Sequence, residues 1–136
     1  MTALALIVSL AMQAVPDAPF QTVARGTMSQ IDTPRQVVVR TAAEWMTLWR
    51  QHSPAEVPAV DFGSRTVVAV FLGSRMSAGF SVEFVRTQEA GGVLTVYWTE
   101  RRPDRGEISA QVITSPMHAV AIPRFAGEIR FEKVEK

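Results

Sequence analysis

Alternating apolar and polar positions predict that most of this chain forms β-strands. Short stretches rich in β-branched and aromatic residues recur between polar or glycine-containing turns, which is typical of a β-rich domain. Residues 66–72 are apolar at nearly every position, so we predict a strand covered on both faces at the centre of a sheet. Gly91 and Gly92 predict a tight hairpin. The predicted strands cover about residues 20–25, 35–40, 66–72, 80–89, 93–101, 109–114, 117–122 and 128–132.

One segment has the periodicity of a helix. Thr41 and Glu44 have the spacing of a capping box, and Trp45, Leu48 and Trp49 then fall on one face, where they are expected to be core residues. The dipeptide Ser-Pro at 53–54 ends the helix. We therefore predict a mainly β fold of the α+β kind. It consists of an antiparallel sheet or sandwich of about seven or eight strands, with one α-helix at about residues 42–52 packed on it.

The first residues of the chain are predicted to be a secretory signal peptide. Residues 1–12 are almost uniformly apolar, a run too short to span a bilayer but suited to the core of a secretory signal peptide. We predict a leader over residues 1–18 and a single β-rich domain over residues 19–136, exported to the periplasm or the extracellular space. The alternative is that the apolar run is the first buried element of the domain. Without cysteine a lipid anchor is not expected, nor is a membrane span once the leader is removed.

Composition and motifs indicate little catalytic chemistry. The formal net charge is +1 and the basic residues are scattered, so neither nucleic acid nor an anionic membrane surface is an expected partner. His52 and His118 are the two histidines, too few for a typical zinc site. The glycine loop at 73–79 lacks the ending of a phosphate-binding loop and leads into a strand. We predict no catalytic, metal-binding or cofactor-binding residues and no cofactor.

Four stretches of the chain occur in a fixed order, and they are Ala43-Glu44-Trp45 with Leu48-Trp49, Asp61-Phe62, residues 73–82 and residues 115–124. Together they resemble the PrcB C-terminal domain family, and the resemblance covers about residues 20–132. It implies a small, exported, mainly β domain that associates with proteases and helps a protease complex hold together, without catalytic residues to carry over. The chain departs from the family in having Ala78 where a second glycine is usual and Met117 where an aromatic residue is frequent.

These features favour a non-catalytic protein-binding module, whose partner is an exported protease or another envelope protein. A second hypothesis is a β domain that binds a small ligand or polysaccharide on Tyr97 or Trp98, which point to opposite faces of one strand. A third is a hydrolase with an unrecognised site that uses His52 or His118. For the first hypothesis, the candidate partner-binding residues lie in and after the glycine loop, and they are Ser74, Arg75, Met76, Ser77 and Phe80.

Overall fold

The computed structural model describes residues 20–106 and 109–135, so the predicted leader over residues 1–18 lies outside the described residues. The described part contains one helix and seven strands in two sheets, and the mainly β prediction is confirmed. No described helix is long and apolar enough to cross a membrane. In chain order the elements are β1 (Gln21–Gly26), β2 (Arg35–Val39), α1 (Ala42–His52), β3 (Arg65–Phe71), β4 (Ser81–Ala90), β5 (Val93–Arg101), β6 (Met117–Pro123) and β7 (Glu128–Lys133).

The strands divide into a four-stranded and a three-stranded sheet. The first sheet has the order β1-β6-β3-β2 with antiparallel neighbours. The second has the order β4-β5-β7, in which β4 and β5 form the predicted hairpin and Gly91 and Gly92 adopt positive φ. However, β7 pairs with β5 in parallel, which an antiparallel sheet did not predict. Between β5 and β7 the chain passes through β6, which lies in the first sheet. When it returns to the second sheet, β7 runs in the same direction as β5.

The first sheet is buried on both faces. On one face, the helix residues Trp45, Leu48 and Trp49 pack with Val67, Ala69, Phe71 and Met117. On the other face, the first sheet's Val68, Val70 and Ile122 lie over Leu94, Val96 and Trp98 of the second sheet. The described elements therefore form three layers, helix, sheet and sheet. β3 pairs with β2 and β6 and is covered from both sides, as the continuous apolar run at 66–72 predicted.

Local sequence explains where the helix begins and ends. The Thr41 hydroxyl accepts from the Glu44 amide, and the Glu44 carboxylate accepts from the Thr41 amide, which completes the predicted capping box. At the other end, the Ser53 amide donates to the Trp49 carbonyl oxygen. The two indoles are core residues as predicted, and their N–H groups donate to carbonyl oxygens of the loop that follows the helix.

The strand predicted at 109–114 is wrong. Residues 109–113 form no strand, and Thr114 and Ser115 make only single bridges, to Arg75 and Met28 respectively. The neighbours of this segment are two loops rather than two strands, so no continuous ladder can form along it. The residue types of Val112 and Ile113 favour a strand, but both side chains are exposed outside any strand.

The capping box gives a direct test of the helix. Thr41→Ala removes the hydroxyl that accepts from the Glu44 amide, and we expect the free energy of unfolding to fall by about 1 kcal/mol. Thr47→Ala is the matched control, because Thr47 is exposed on the same helix and bonds only back to the Ala43 carbonyl oxygen. Urea unfolding followed by tryptophan fluorescence measures both variants. An equal effect in the two would contradict the role given to the cap.

Candidate functional site

The loop between β3 and β4 is shaped by two glycines. Gly73 has φ of 82°, and a Cβ there would lie 2.9 Å from the Pro34 side chain. Gly79 has φ of 101°, and a Cβ there would lie 2.6 Å from the Pro103 side chain. Both positions therefore require glycine, for conformation and for space. Ala78, the departure from the family pattern, does not adopt positive φ.

Arg75 ties this loop to the second sheet. Its guanidinium donates to both oxygens of the Glu100 carboxylate at 2.8 and 3.1 Å, and also to the carbonyl oxygens of Leu72 and Ser74. The Lys133 ammonium donates to the same carboxylate at 3.1 Å. The Glu100 side chain is only 2% exposed. Its pKa is held below the ordinary value, first by the hydrogen bond from Arg75, and Lys133 adds to this effect while burial opposes it.

Of the predicted loop residues, Ser74 and Met76 are exposed and the other three are half-buried. The Ser74 amide donates to the Asp32 carbonyl oxygen, and the Ser77 carbonyl oxygen accepts from the Thr114 hydroxyl. Phe80 is half-buried against the Val82 and Trp98 cluster. Met76, in contrast, is 76% exposed. Within the predicted set it is therefore the residue that offers apolar surface to a partner.

Two further segments bring apolar side chains to the same end of the molecule. Arg75 and Thr114 exchange backbone hydrogen bonds of 2.8 and 2.9 Å, so Met76 lies beside Ile113 on antiparallel segments. The Ser115 amide donates to the Thr27 carbonyl oxygen at 2.7 Å, which brings the segment around Met28 to the other side. We call this apolar area the Met76 surface. Its members are Met28 (69% exposed), Met76, Val112 (46%) and Ile113 (59%).

The sequence did not single out three of these four residues. The strand predicted over residues 109–114 includes Val112 and Ile113, and the segment from Met28 to Thr33 has a polar, turn-like composition. Their grouping depends on single backbone bridges between segments that are far apart in the chain. Such bridges leave no periodic signal. The glycine-flanked loop was the one local sign, and of these four residues it contains only Met76.

Both histidines have a hydroxyl partner, which the hydrolase hypothesis requires. His52 Nδ1 lies 2.7 Å from the hydroxyl of Ser29, which is buried. His118 Nε2 lies 2.9 Å from the Thr22 hydroxyl, and its Nδ1 lies 3.1 Å from the Val82 carbonyl oxygen. Because a carbonyl oxygen only accepts, Nδ1 carries the proton and Nε2 accepts from Thr22.

The surroundings of both rings disfavour the imidazolium that a general base must become. Burial lowers the pKa of His52. Burial also lowers the pKa of His118, and the charge of Arg25 lowers it further although the bond to Val82 opposes this. In hydrolases that use a histidine base, a carboxylate stabilises the imidazolium; here the charge acting on His118 is a cation. The described residues hold no cluster of three or more potential metal ligands.

The rings of Tyr97 and Trp98, on which the second hypothesis depends, are mostly covered by other residues of the chain. Trp98 is 5% exposed and packs in the core between the sheets. Tyr97 is half-buried, and the Arg86 guanidinium lies 3.8 Å from the centre of its ring. One indole is therefore closed to a stacked ligand, and one phenol ring is already stacked on an arginine.

Comparison with known proteins finds one family model that is similar to part of the chain. The family model described as PrcB C-terminal matches residues 66–123, which span β3 to β6 with the glycine loop and the segment that carries Val112 and Ile113. The resemblance predicted from the sequence is confirmed by this match. No curated protein and no solved structure matches the chain.

The buried carboxylate predicts an unequal response to two arginine substitutions. Arg75→Met leaves Glu100 buried with Lys133 as its remaining cation, and we expect the free energy of unfolding to fall by about 2–3 kcal/mol. Arg130→Met is the matched control, because Arg130 pairs with Glu128 at the exposed surface, and we expect little change. Urea unfolding near neutral pH measures both. Equal effects would show that the Arg75 bond does not hold the loop.

Burial of the histidines predicts a pH dependence of stability. The pKa of His118 is lower in the folded protein than its ordinary value of 6.5, so the unfolded chain takes up the proton first. The stability contribution of the neutral ring is therefore complete above about pH 6.5 and is lost as the pH falls through the folded pKa.

The test compares the wild type with His118→Asn, which keeps a donor for the Val82 carbonyl oxygen. We expect the variant to be less stable at pH 8 and to lose less stability on acidification to about pH 5. The stability of the variant is still expected to depend on pH, because burial also lowers the pKa of His52. Parallel curves for the two proteins, measured by urea unfolding at each pH, would contradict the assignment.

Proposed function

Because residues 66–123 match the PrcB C-terminal family, we propose that this chain is an exported, non-catalytic protein-binding module that stabilises or modulates a protease complex. Its partner is an exported protease or another envelope protein. The family is a subunit-type domain rather than a known catalytic family, which supports a binding role. The apolar leader-like run at residues 1–12 supports export.

The observation that carries the proposal is the Met76 surface. Its four large, exposed apolar side chains come from three segments that backbone bridges at Thr114 and Ser115 join. Exposed apolar side chains that cluster in this way mark interaction sites more often than singly exposed ones do. Methionine adapts its shape to a partner and is enriched at interfaces.

The same surface is held in place before any partner binds. The backbone bridges at Thr114 and Ser115, and the bonds from Arg75 to Glu100, fix the segments that present it. A preformed surface loses less conformational entropy on association than a mobile loop does. The loop's anchors therefore contribute to binding indirectly, and Met76 and Ile113 are the contact residues.

Site-specific photo-crosslinking in the native cell envelope tests the proposal. A photoreactive amino acid placed at position 76 is expected to capture the partner protein, and the same amino acid at position 46 is not. Met46 is a suitable control because it is an exposed methionine on α1 and not part of the Met76 surface. Mass spectrometry of the captured species is expected to identify an exported protease or a component of its complex.

Acidic substitutions in the Met76 surface provide a second test of the proposed function. We expect the double variant Met76→Asp, Ile113→Asp to recover at least about tenfold less partner than the wild type, because two contact side chains are replaced by charges that binding would desolvate. Val85→Asp is the control, since Val85 is exposed on β4 outside the surface. Capture at position 46 as efficient as at 76, or full recovery with the double variant, would contradict the proposal.

A further inference from the structure

Strand β2 lies at an open edge of the first sheet. Among the described residues it is the last strand in the order β1-β6-β3-β2, and it pairs there only with β3. Alternate N–H and C=O groups of an edge strand point away from the sheet, and another extended chain can pair with them. β2 has three consecutive valines and contains neither proline nor lysine, two residues that commonly protect an edge.

Two cavities flank this edge, one on each face of the sheet. The helix-side cavity, of about 460 Å³, lies between β2 and α1 and is lined by Val37, Val39, Ala43, Thr47 and Leu48 among others. The cationic cavity, of about 540 Å³, lies towards the second sheet, with Arg35, Arg75, Trp98 and Lys133 in its wall. Arg35 lines both, so the two cavities meet at the beginning of β2.

The two cavities differ in chemistry. The helix-side cavity is mostly apolar apart from its rim, which includes Glu44 and Gln51. The cationic cavity has three cations and no acidic residue among those that line it. The Glu100 carboxylate engages Arg75 and Lys133, and Arg35 bonds the neutral amide of Gln51. The cavity wall therefore has three cations, of which two share one carboxylate and the third bonds a neutral amide, and this leaves positive charge for a second anion.

Trp98 adds its ring to the wall of the cationic cavity. Its indole N–H is buried without a hydrogen-bond partner among the described residues and is not accessible from the cavity. The charged donors of the cavity therefore belong to Arg35, Arg75 and Lys133, and a ligand that brings acceptor oxygens complements them.

An extended chain paired with β2 would supply both kinds of side chain. Successive residues of a strand point to opposite faces of the sheet, so one side chain would face the helix-side cavity and the next the cationic cavity. Main-chain bonds give such complexes affinity, and pockets for alternate side chains give them specificity. An apolar residue next to an acidic one matches this pair of cavities.

The charges on β2 argue against a second copy of this chain as the occupant. The sequence of β2 is Arg-Gln-Val-Val-Val and contains no acidic residue. A second β2 strand paired with this edge would therefore bring no carboxylate to the cationic cavity. We propose that β2 is a strand-addition site for an extended, acidic segment of the protein partner, which places an apolar side chain in the helix-side cavity and a neighbouring carboxylate in the cationic cavity. This proposal rests on the proposed function.

Titration with a designed peptide tests the inference. The probe is a capped seven-residue peptide of alternating valine and glutamate, and binding to the full chain is measured by calorimetry and by amide NMR shifts. We expect a Kd of about 10–100 µM, with the largest shifts in β2. Two matched probes, one with lysine in place of glutamate and one with alternate backbone nitrogens methylated, are each expected to bind at least about tenfold more weakly.

Variants of the protein separate the two cavities. Thr47→Trp fills the helix-side cavity and is expected to weaken binding at least about tenfold, whereas Arg50→Trp on the same helix, outside both cavities, is expected to leave it unchanged. Arg35→Glu is expected to reverse the preference from the glutamate to the lysine probe. Arg50→Glu is its control. Unfolding curves of each variant confirm that the fold is retained.

Several results would overturn the inference. These are no binding of the glutamate probe up to about 1 mM, equal binding of the methylated probe, and equal binding of the lysine probe. A dimer in sedimentation that Thr47→Trp abolishes would instead assign the edge to a second copy. In each case, crosslinks from position 76 would still be expected, so failure at β2 and failure of the proposed function are distinguishable.

Discussion

Burial of β3 on both faces is the constraint on which the rest of this structure depends. The residues from Val67 to Val70 are almost completely inaccessible, and each buried valine contributes roughly 1.5–3 kcal/mol relative to an exposed one. A strand of this kind needs a cover on each side, and α1 and the second sheet provide them. The first sheet therefore becomes the middle layer. With β3 and β6 inside it, β1 and β2 are left as its edges.

The carboxylate of Glu100 makes a second long-range connection, because it joins the loop after β3 to strands β5 and β7 of the second sheet. Arg75 comes from the loop after β3, and Lys133 from the end of β7. A buried acid requires such partners, because an unpaired buried charge is strongly destabilising. The loop therefore takes one shape, in which the bridge to Thr114 forms and Met76 remains exposed. An internal ion pair thus determines which apolar side chains reach the surface.

The sequence predicted the elements well where the signal is local, and poorly where it depends on neighbours. The capping box, the apolar run of β3 and the Gly91-Gly92 hairpin each carry their own pattern, and all three are found in the structure. Residues 109–114 have the composition of a strand but lie between two loops, so composition misled there. The parallel pairing of β7 and the partners of Glu100 join residues far apart in the chain, which no periodicity encodes. Met76 could be proposed as a contact residue, but its neighbours Met28 and Ile113 could not.

Arg75 links the two proposed binding surfaces and limits how an acidic ligand can enter. Its backbone holds the segment of Ile113, and its side chain lines the cationic cavity beside Glu100. A ligand that drew Arg75 away would leave the buried Glu100 with Lys133 alone and would loosen the Met76 surface. Lys133 has three donors and one bond to Glu100 is described, while Arg35 bonds only an uncharged amide among its described partners. The incoming carboxylate is therefore better matched to Arg35 and Lys133, with the Arg75–Glu100 pair left intact.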